Sequence, residues 1–332
     1  MLWHPLNSCG SWQLAIDSEQ VNIPQIIVVG SINADLLTYV DDSKRIGNYV
    51  FGEDFRFNLG GKGLNQALNV SAAGQPVTLI GRVGDDLFGK EILRQLRANQ
   101  IDISQVEVDS IAHTGIGHIR INLAGEYDTV VVNGANSFLG IEQIDKAVAS
   151  INDASFVLMN YEIVSEVINY ASEKFRAIGV KPIINLSPIA EGVSYSIASA
   201  DYIVTNAEEA RAVIGSQESN PSVLANLLQE RGAKNVIITL GSSGVIGIDQ
   251  SGRSYQVKPE TIKVENTIGA GDTFLSIFAV SLNAGKDFGE AIEIANFAAA
   301  MVCTKTESYL AAKEMEIIAR KFKLEILDTK IN

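Results

Sequence analysis

IIVVGSINAD, residues 26–35, is a run of Ile and Val that stops at a glycine and then turns polar. A short, unbroken β-branched run fits a strand buried on both faces, as in a parallel sheet covered by helices. Residues 26–30 are read as that strand. Asn33 and Asp35 lie just past its carboxyl end, where ligands of open α/β sheets bind. They offer donors and acceptors suited to sugar hydroxyls, although both residue types are also common in turns.

Downstream, similar runs alternate with helical spacing. Strands are expected at 77–83, 156–159, 182–186, 202–205 and 236–240. Helices are expected at 63–73, 89–98, 164–177, 207–214, 223–231 and 274–284. This order means parallel βαβ units and an α/β fold with a doubly wound, mostly parallel central sheet flanked by helices. Two segments, 36–59 and 114–132, break the rhythm. GNYVFGEDFRFNLGG alternates as strands do, and TGIGHIRINLAGEYDTVVV reads as a hairpin around Gly125. Both are assigned to a small β-sheet lid that closes over a site, with a peripheral ornament as the alternative. No repeat, low-complexity tract or linker is evident, so residues 26–325 are taken as one domain carrying the lid.

The chain has 332 residues, 46% hydrophobic and 20% charged, with a formal net charge of −13. Such an acidic chain repels a nucleic-acid backbone, which argues against DNA or RNA as partner. No apolar run reaches the length of a membrane span, so no membrane role is expected. Two cysteines, Cys9 and Cys303, make no disulfide framework, which fits a reducing, cytoplasmic setting. Residues 1–25 lack a basic leader region and a clear apolar core, so they are expected to form a poorly ordered extension rather than a secretion signal.

Five further motifs carry chemistry. NTIGAGDTF, residues 266–274, sets Asp272 behind Gly269 and Gly271 where a helix begins. Bare N–H groups at a helix start bind anions, so a carboxylate beside them suggests phosphate and proton handling together; a capped helix after a Gly turn is the plainer reading. NLGGKGLNQAL, residues 58–68, has Gly60, Gly61 and Gly63 where a ligand can approach the backbone, with Asn65 on the first helical turn. It matches neither a Walker A loop nor a dinucleotide fingerprint. LMNYE, residues 158–162, puts Glu162 past another strand. In TNAEE, residues 205–209, Asn206 and Glu209 have capping-box spacing, with a water-mediated Mg²⁺ role as competitor. TLGSSG, residues 239–244, is either a hairpin turn or a phosphate rest. His4, His113 and His118 do not fall at metal-ligand spacing, and Ser31 lacks a nucleophile elbow.

Taken together, GSINAD, GGKGLNQA, RVGDDLFG (82–89), NAEE, TLGSSG and NTIGAGDTF stand in the order found in the ribokinase-like (PfkB) carbohydrate kinases, which the chain resembles over residues 26–323. Asn-Ala-Asp at 33–35 and GGKGxNQ at 60–66 look most like ribokinases within that family. The resemblance implies Mg²⁺-ATP-dependent phosphoryl transfer to a primary sugar hydroxyl, with ribose going to ribose 5-phosphate. Other sugars, nucleosides, or a non-catalytic sugar-binding paralogue are the alternatives. It also implies a homodimer clasped through the lid.

By matching motif, Asn33, Asp35, Gly61, Lys62, Asn65 and Glu162 would contact sugar. Asn206, Thr239, Gly241, Ser242, Gly244 and Asn296 would line the nucleotide, and Glu209 would organise Mg²⁺ through water. Gly269, Ala270 and Gly271 would form the anion hole, and Asp272, ionised at neutral pH like an ordinary Asp, would be the general base. The family usually has Asp where this chain has Asn266, a small residue where it has Ile268, and a Gly in the segment corresponding to TKTESYLAA, 304–312. The monovalent-cation site that adjoins Asn266 is therefore expected to be degenerate. Lys305 either supplies a fixed ammonium there or is a solvated end charge.

Overall fold

The computed structural model describes residues 12–14, 24–123, 126–151, 153–190, 192–322, 324 and 326–328. A nine-stranded sheet runs through the middle in the order Ser254–Val257, Val245–Ile248, Asn235–Thr239, Tyr202–Asn206, Lys181–Asn185, Ala154–Asn160, Gln25–Val29, Val77–Gly84, Val106–Asp109. The seven strands from Asn235–Thr239 to Val106–Asp109 are parallel, and the remaining pairings are antiparallel.

Alternation along each strand builds two cores. Ile26, Val28, Leu79, Phe156 and Leu158 point to one face, and Ile27, Val29, Ile80, Val157 and Met159 to the other. The first face is covered by helices Lys62–Ala72, Leu87–Ala98, Ala270–Asn283, Phe288–Val302 and Ala312–Lys321. The second is covered by Ile141–Ser150, Ser165–Ala177, Ala207–Ile214 and Pro221–Glu230. Ala270–Asn283 is buried continuously from Asp272 to Ser281 because it packs both the sheet and its neighbour Phe288–Val302. A helix apolar all round belongs inside, and this one carries its single carboxylate inside with it.

The two segments that break the βαβ rhythm form one antiparallel-edged sheet of four strands, ordered Gly52–Gly60, Asn33–Val40, Gly115–Asn122, Tyr127–Val132. The lid thus begins at Asn33, earlier than the 36–59 expectation, so Asn33 and Asp35 sit on a lid strand rather than in a loop. The turn around Gly125 lies outside the described residues. TLGSSG is a hairpin turn: Asn235–Thr239 and Val245–Ile248 pair antiparallel around it, and Leu240 N–H donates to Gly244 O at 2.8 Å. Within residues 1–25, Trp12–Leu14 pairs antiparallel with Ile326–Asp328; residues 1–11 and 15–23 lie outside the described residues.

Candidate active site

Strand order reverses between Gln25–Val29 and Ala154–Asn160. From the first, the parallel chain steps outward through Val77–Gly84; from the second, it steps the opposite way through Lys181–Asn185. The crevice beyond the carboxyl ends at such a reversal is where open α/β sheets bind ligands. Ser31 Oγ spans it, donating to Glu162 Oε2 at 2.6 Å, and the Lys62 N–H donates to the same oxygen at 3.0 Å. The Glu162 N–H is held in turn by Asn160 Oδ1 at 3.1 Å.

Glycine lets the Lys62–Ala72 helix start this close to the strand end. A Cβ on Gly63 would lie 2.6 Å from the Gly30 carbonyl carbon, and one on Gly60 would lie 2.0 Å from the Asp35 carboxyl carbon. These two glycines admit the protein's own chain, not the ligand that the sequence expectation gave them. Gly61 caps the helix at φ 88°, a left-handed backbone that few side chains tolerate.

The lid strand brings Asn33 and Asp35 to one face, as i and i+2 residues must be. Asn33 is fixed by Asn136, a residue the motifs did not single out: Asn136 Nδ2 donates to Asn33 Oδ1 at 2.7 Å, and Asn136 Oδ1 accepts from Ile32 N at 2.9 Å. Asp35 lies between Gly60 and Gly117, and a Cβ on Gly117 would be 2.4 Å from its Oδ1. Burial, reinforced by the carboxylates of Glu162 and Asp272, pushes Asp35 up to about 7.

Asp272 stands at the third position of the Ala270–Asn283 helix, 4% exposed. Its Oδ1 accepts from Gln66 Nε2 at 3.0 Å and its Oδ2 more loosely from Asn65 Nδ2 at 3.5 Å. Ser276 Oγ ties the two helices together, donating to Asp272 O at 2.7 Å and Gln66 O at 3.1 Å. Burial raises the Asp272 carboxyl above the ordinary range; the Lys62 charge opposes this, Glu162 adds to it, and the two amides oppose it. The Asp272 carboxyl is therefore not the ordinary one the sequence suggested, because the burial and the Glu162 charge come from elements distant in sequence. The preceding turn has Gly269 at φ 80°, and the first-turn amides of Gly271 and Asp272 have no carbonyl within the helix to receive them. Gly271, at the second helical position, is exposed, while the Asp272 beside it is buried.

The other motif residues lie along the same sheet edge. Asn206 and Thr239 end neighbouring parallel strands in register. The capping box forms in full: Asn206 Oδ1 accepts from Glu209 N at 2.8 Å, and Glu209 Oε2 accepts from Asn206 N at 2.9 Å and Thr205 Oγ1 at 3.2 Å. One Glu209 oxygen is thus committed to the helix start, and the other is a hard donor of the kind that binds divalent ions directly or through water. Gly241 and Ser242 are exposed on the turn. Gly244, at φ 93°, presses on the 257–259 backbone, and Asn296 Nδ2 donates to Lys258 O at 3.0 Å in that same segment.

Asn266 does not fit a cation site. Its Nδ2 donates to Lys305 O and its Oδ1 accepts from Ile268 N at 2.7 Å, so the amide is engaged at both ends by the chain itself. Lys305 is not a solvated end charge: its side chain is 17% exposed, 3.4 Å from Glu314 Oε2.

The pfkB family carbohydrate kinase model matches residues 24–315. The chain is 30% identical over 283 residues to a ribokinase of Haemophilus influenzae, covering 84% of this chain and 92% of that one. It is 28% identical over 258 residues to a deoxyribokinase of Salmonella typhi, covering 76% and 84%. Among solved structures, a ribokinase from Thermotoga maritima superposes with a TM-score of 0.81 at 26% identity, covering 90% of this chain and 99% of that one. An Arabidopsis thaliana ribokinase complexed with ribose and ATP superposes at 0.80 and 24% identity, covering 91% and 99%. A doubly wound sheet with a β lid, a polar crevice at its strand reversal and a family match across most of the chain place this protein in the pfkB family of carbohydrate kinases, as a ribokinase-like sugar kinase.

Proposed function

We propose that the chain transfers the γ-phosphoryl group of Mg²⁺-ATP to the primary hydroxyl of a pentose, ribose first. One observation carries the reading: a buried carboxylate, Asp272, directly follows the exposed Gly271 in the first turn of a helix that begins behind Gly269. In this mechanism Asn33, Asp35, Gly61, Lys62, Asn65 and Glu162 orient the sugar. Its primary hydroxyl gives up its proton to Asp272 as its oxygen bonds to the γ-phosphorus, and the bond to the β-phosphate oxygen breaks, releasing ADP. Amides of residues 269–272 meet the charge on the transferring oxygens, and positioning supplies most of the rate. Asn206, Thr239, Gly241, Ser242, Gly244 and Asn296 hold the nucleotide. A divalent ion bound with ATP would neutralise charge on its phosphates, and Glu209 is the residue that would hold it, through water.

Both ribokinase and deoxyribokinase relatives match, which supports a pentose. The Arabidopsis neighbour, complexed with ribose and ATP, supports the co-substrate pair. The cytoplasm is the proposed compartment, on the two-cysteine composition. Exposed apolar side chains on both edges of the lid, Phe55 and Val131, support a homodimer clasped there. An ADP-release assay with Mg²⁺-ATP over pentoses, hexoses and nucleosides tests the reading. Ribose or deoxyribose should give the highest kcat/KM; a nucleoside or hexose well above both would overturn the pentose assignment, and no turnover with any would overturn catalysis.

A further inference from the structure

The loop that follows helix Phe288–Val302 returns to the catalytic turn and touches it repeatedly. Cys303 O accepts from Glu265 N at 2.8 Å and from Asn266 N at 3.3 Å. Lys305 O accepts from Asn266 Nδ2. Ser308 O lies against Gly269, where a Cβ would approach it to 1.9 Å, and Ser308 Oγ donates to Asn65 Oδ1 at 3.0 Å. Leu310 N donates to Asn69 Oδ1 at 3.0 Å. The loop therefore backs both the amide turn and helix Lys62–Ala72, whose Asn65 and Gln66 hold the Asp272 carboxylate.

An ammonium braces the loop from within. Lys305 Nζ donates to Tyr309 O at 3.4 Å and pairs with Glu314 Oε2 at 3.4 Å; Glu307 Oε2 is 3.9 Å away. Glu314 Oε2 also accepts from Ala311 N at 2.9 Å, closing the far end of the loop on helix Ala312–Lys321.

The Asn266 amide can sit only one way round. Its oxygen meets the Ile268 N–H and its nitrogen meets the Lys305 carbonyl, so a flipped amide would set donor on donor and oxygen on oxygen. A carboxylate at this position would also set oxygen against the Lys305 carbonyl, and two acceptors in that relation repel unless a cation, a proton or a water lies between them. An amide removes the need.

We propose that Asn266, Lys305 and Glu314 form a built-in staple that holds the 303–311 loop against the catalytic turn, in place of an exchangeable monovalent cation. The staple makes this kinase indifferent to potassium. Substituting Asn266→Asp should create the cation requirement that the wild-type chain lacks. The rate consequence rests on the phosphoryl-transfer reading of the Gly269–Asp272 turn; the folding consequence does not.

The experiment compares wild type and Asn266→Asp in potassium and in tetramethylammonium buffers of equal ionic strength. Melting temperature is read without substrates, and turnover with saturating Mg²⁺-ATP and the best sugar. Wild type should melt at the same temperature in both buffers and turn over within about twofold, as expected when no ion binds the native state. Asn266→Asp should melt lower in tetramethylammonium and recover several degrees in potassium, with turnover rising about tenfold, as for a site filled well above its dissociation constant. Lys305→Met should lower the melting temperature equally in both buffers. A many-fold potassium activation or a potassium-dependent melting shift in wild type would overturn the proposal. So would an Asn266→Asp protein that ignores potassium. The melting arms stand even if no sugar is turned over, so a failed staple is distinguishable from a failed kinase assignment.

Discussion

Asp35 shows how a polar site is held at a cost to the empty protein. Its carboxyl moves from 3.8 to about 7 because burial and two neighbouring carboxylates disfavour its charge. The native state then binds this proton more tightly than the unfolded chain does. Between those two values, each unit of rising pH removes roughly 1.4 kcal/mol of native stability through this one group. Sugar hydroxyls donating to the ionised form would offset that loss. Asp35→Asn carries no such charge, so its melting temperature, measured without sugar, should exceed that of wild type by a margin that widens from pH 5 to pH 8. A margin that stays constant with pH would show that Asp35 does not titrate as described. The Asp272 carboxyl is raised for the same chief reason, burial, with Gln66 holding one of its oxygens. Neither effect was legible in the motifs. Asp35 and Asp272 were identifiable as candidates, but their proton affinities depend on Glu162, which joins them only in the folded crevice.

Among elements, legibility followed burial. Strands such as Gln25–Val29 and Lys181–Asn185 are covered on both faces and read as plain apolar runs. Val106–Asp109 alternates Val with acids at the sheet edge, and Ser254–Val257 is half polar at the other edge, so neither gave such a run. The lid was readable as strands because its residues alternate, but its pairing was not, since Asn33–Val40 joins Gly115–Asn122 across the whole of the intervening α/β unit. The lid also poses a problem of its own. Among the described residues its outer strands, Gly52–Gly60 and Tyr127–Val132, have no further strand on their outer edges, and Phe55 at 60%, Val130 at 60% and Val131 at 56% are exposed there. Apolar sheet edges left in water invite another chain. Light scattering on the wild-type protein should therefore give the mass of two chains. The double variant Phe55→Ser, Val131→Ser should shift toward one chain with its circular dichroism unchanged. A single-chain mass for wild type would refute the lid dimer.

Over the whole molecule, one sheet edge collects the chemistry. Parallel strands deliver Ser31, Glu162, Asn206 and Thr239 to the same side, and the strand reversal opens the crevice between the first two. Ala270–Asn283 then brings Asp272 to that crevice against Gln66, across 206 positions of sequence. The alternation of apolar runs with helices was enough to anticipate the architecture, and GSINAD, LMNYE, NAEE and TLGSSG, each at the end of a parallel strand, must then reach the same edge. The supporting roles were not anticipated: Asn136 behind Asn33 belongs to no motif, while Gln66 behind Asp272 and Ser308 behind Asn65 lie within quoted stretches that gave them no task. In the proposed mechanism Asp272 takes the sugar proton while the surrounding residues bind. The most direct test is steady-state kinetics of Asp272→Asn with the preferred sugar and Mg²⁺-ATP, with binding of both measured separately. The account predicts a fall in kcat of roughly 10²- to 10⁴-fold, the range for a positioned base, with sugar and nucleotide affinities close to wild type. Near-wild-type turnover in a folded Asp272→Asn protein would contradict it.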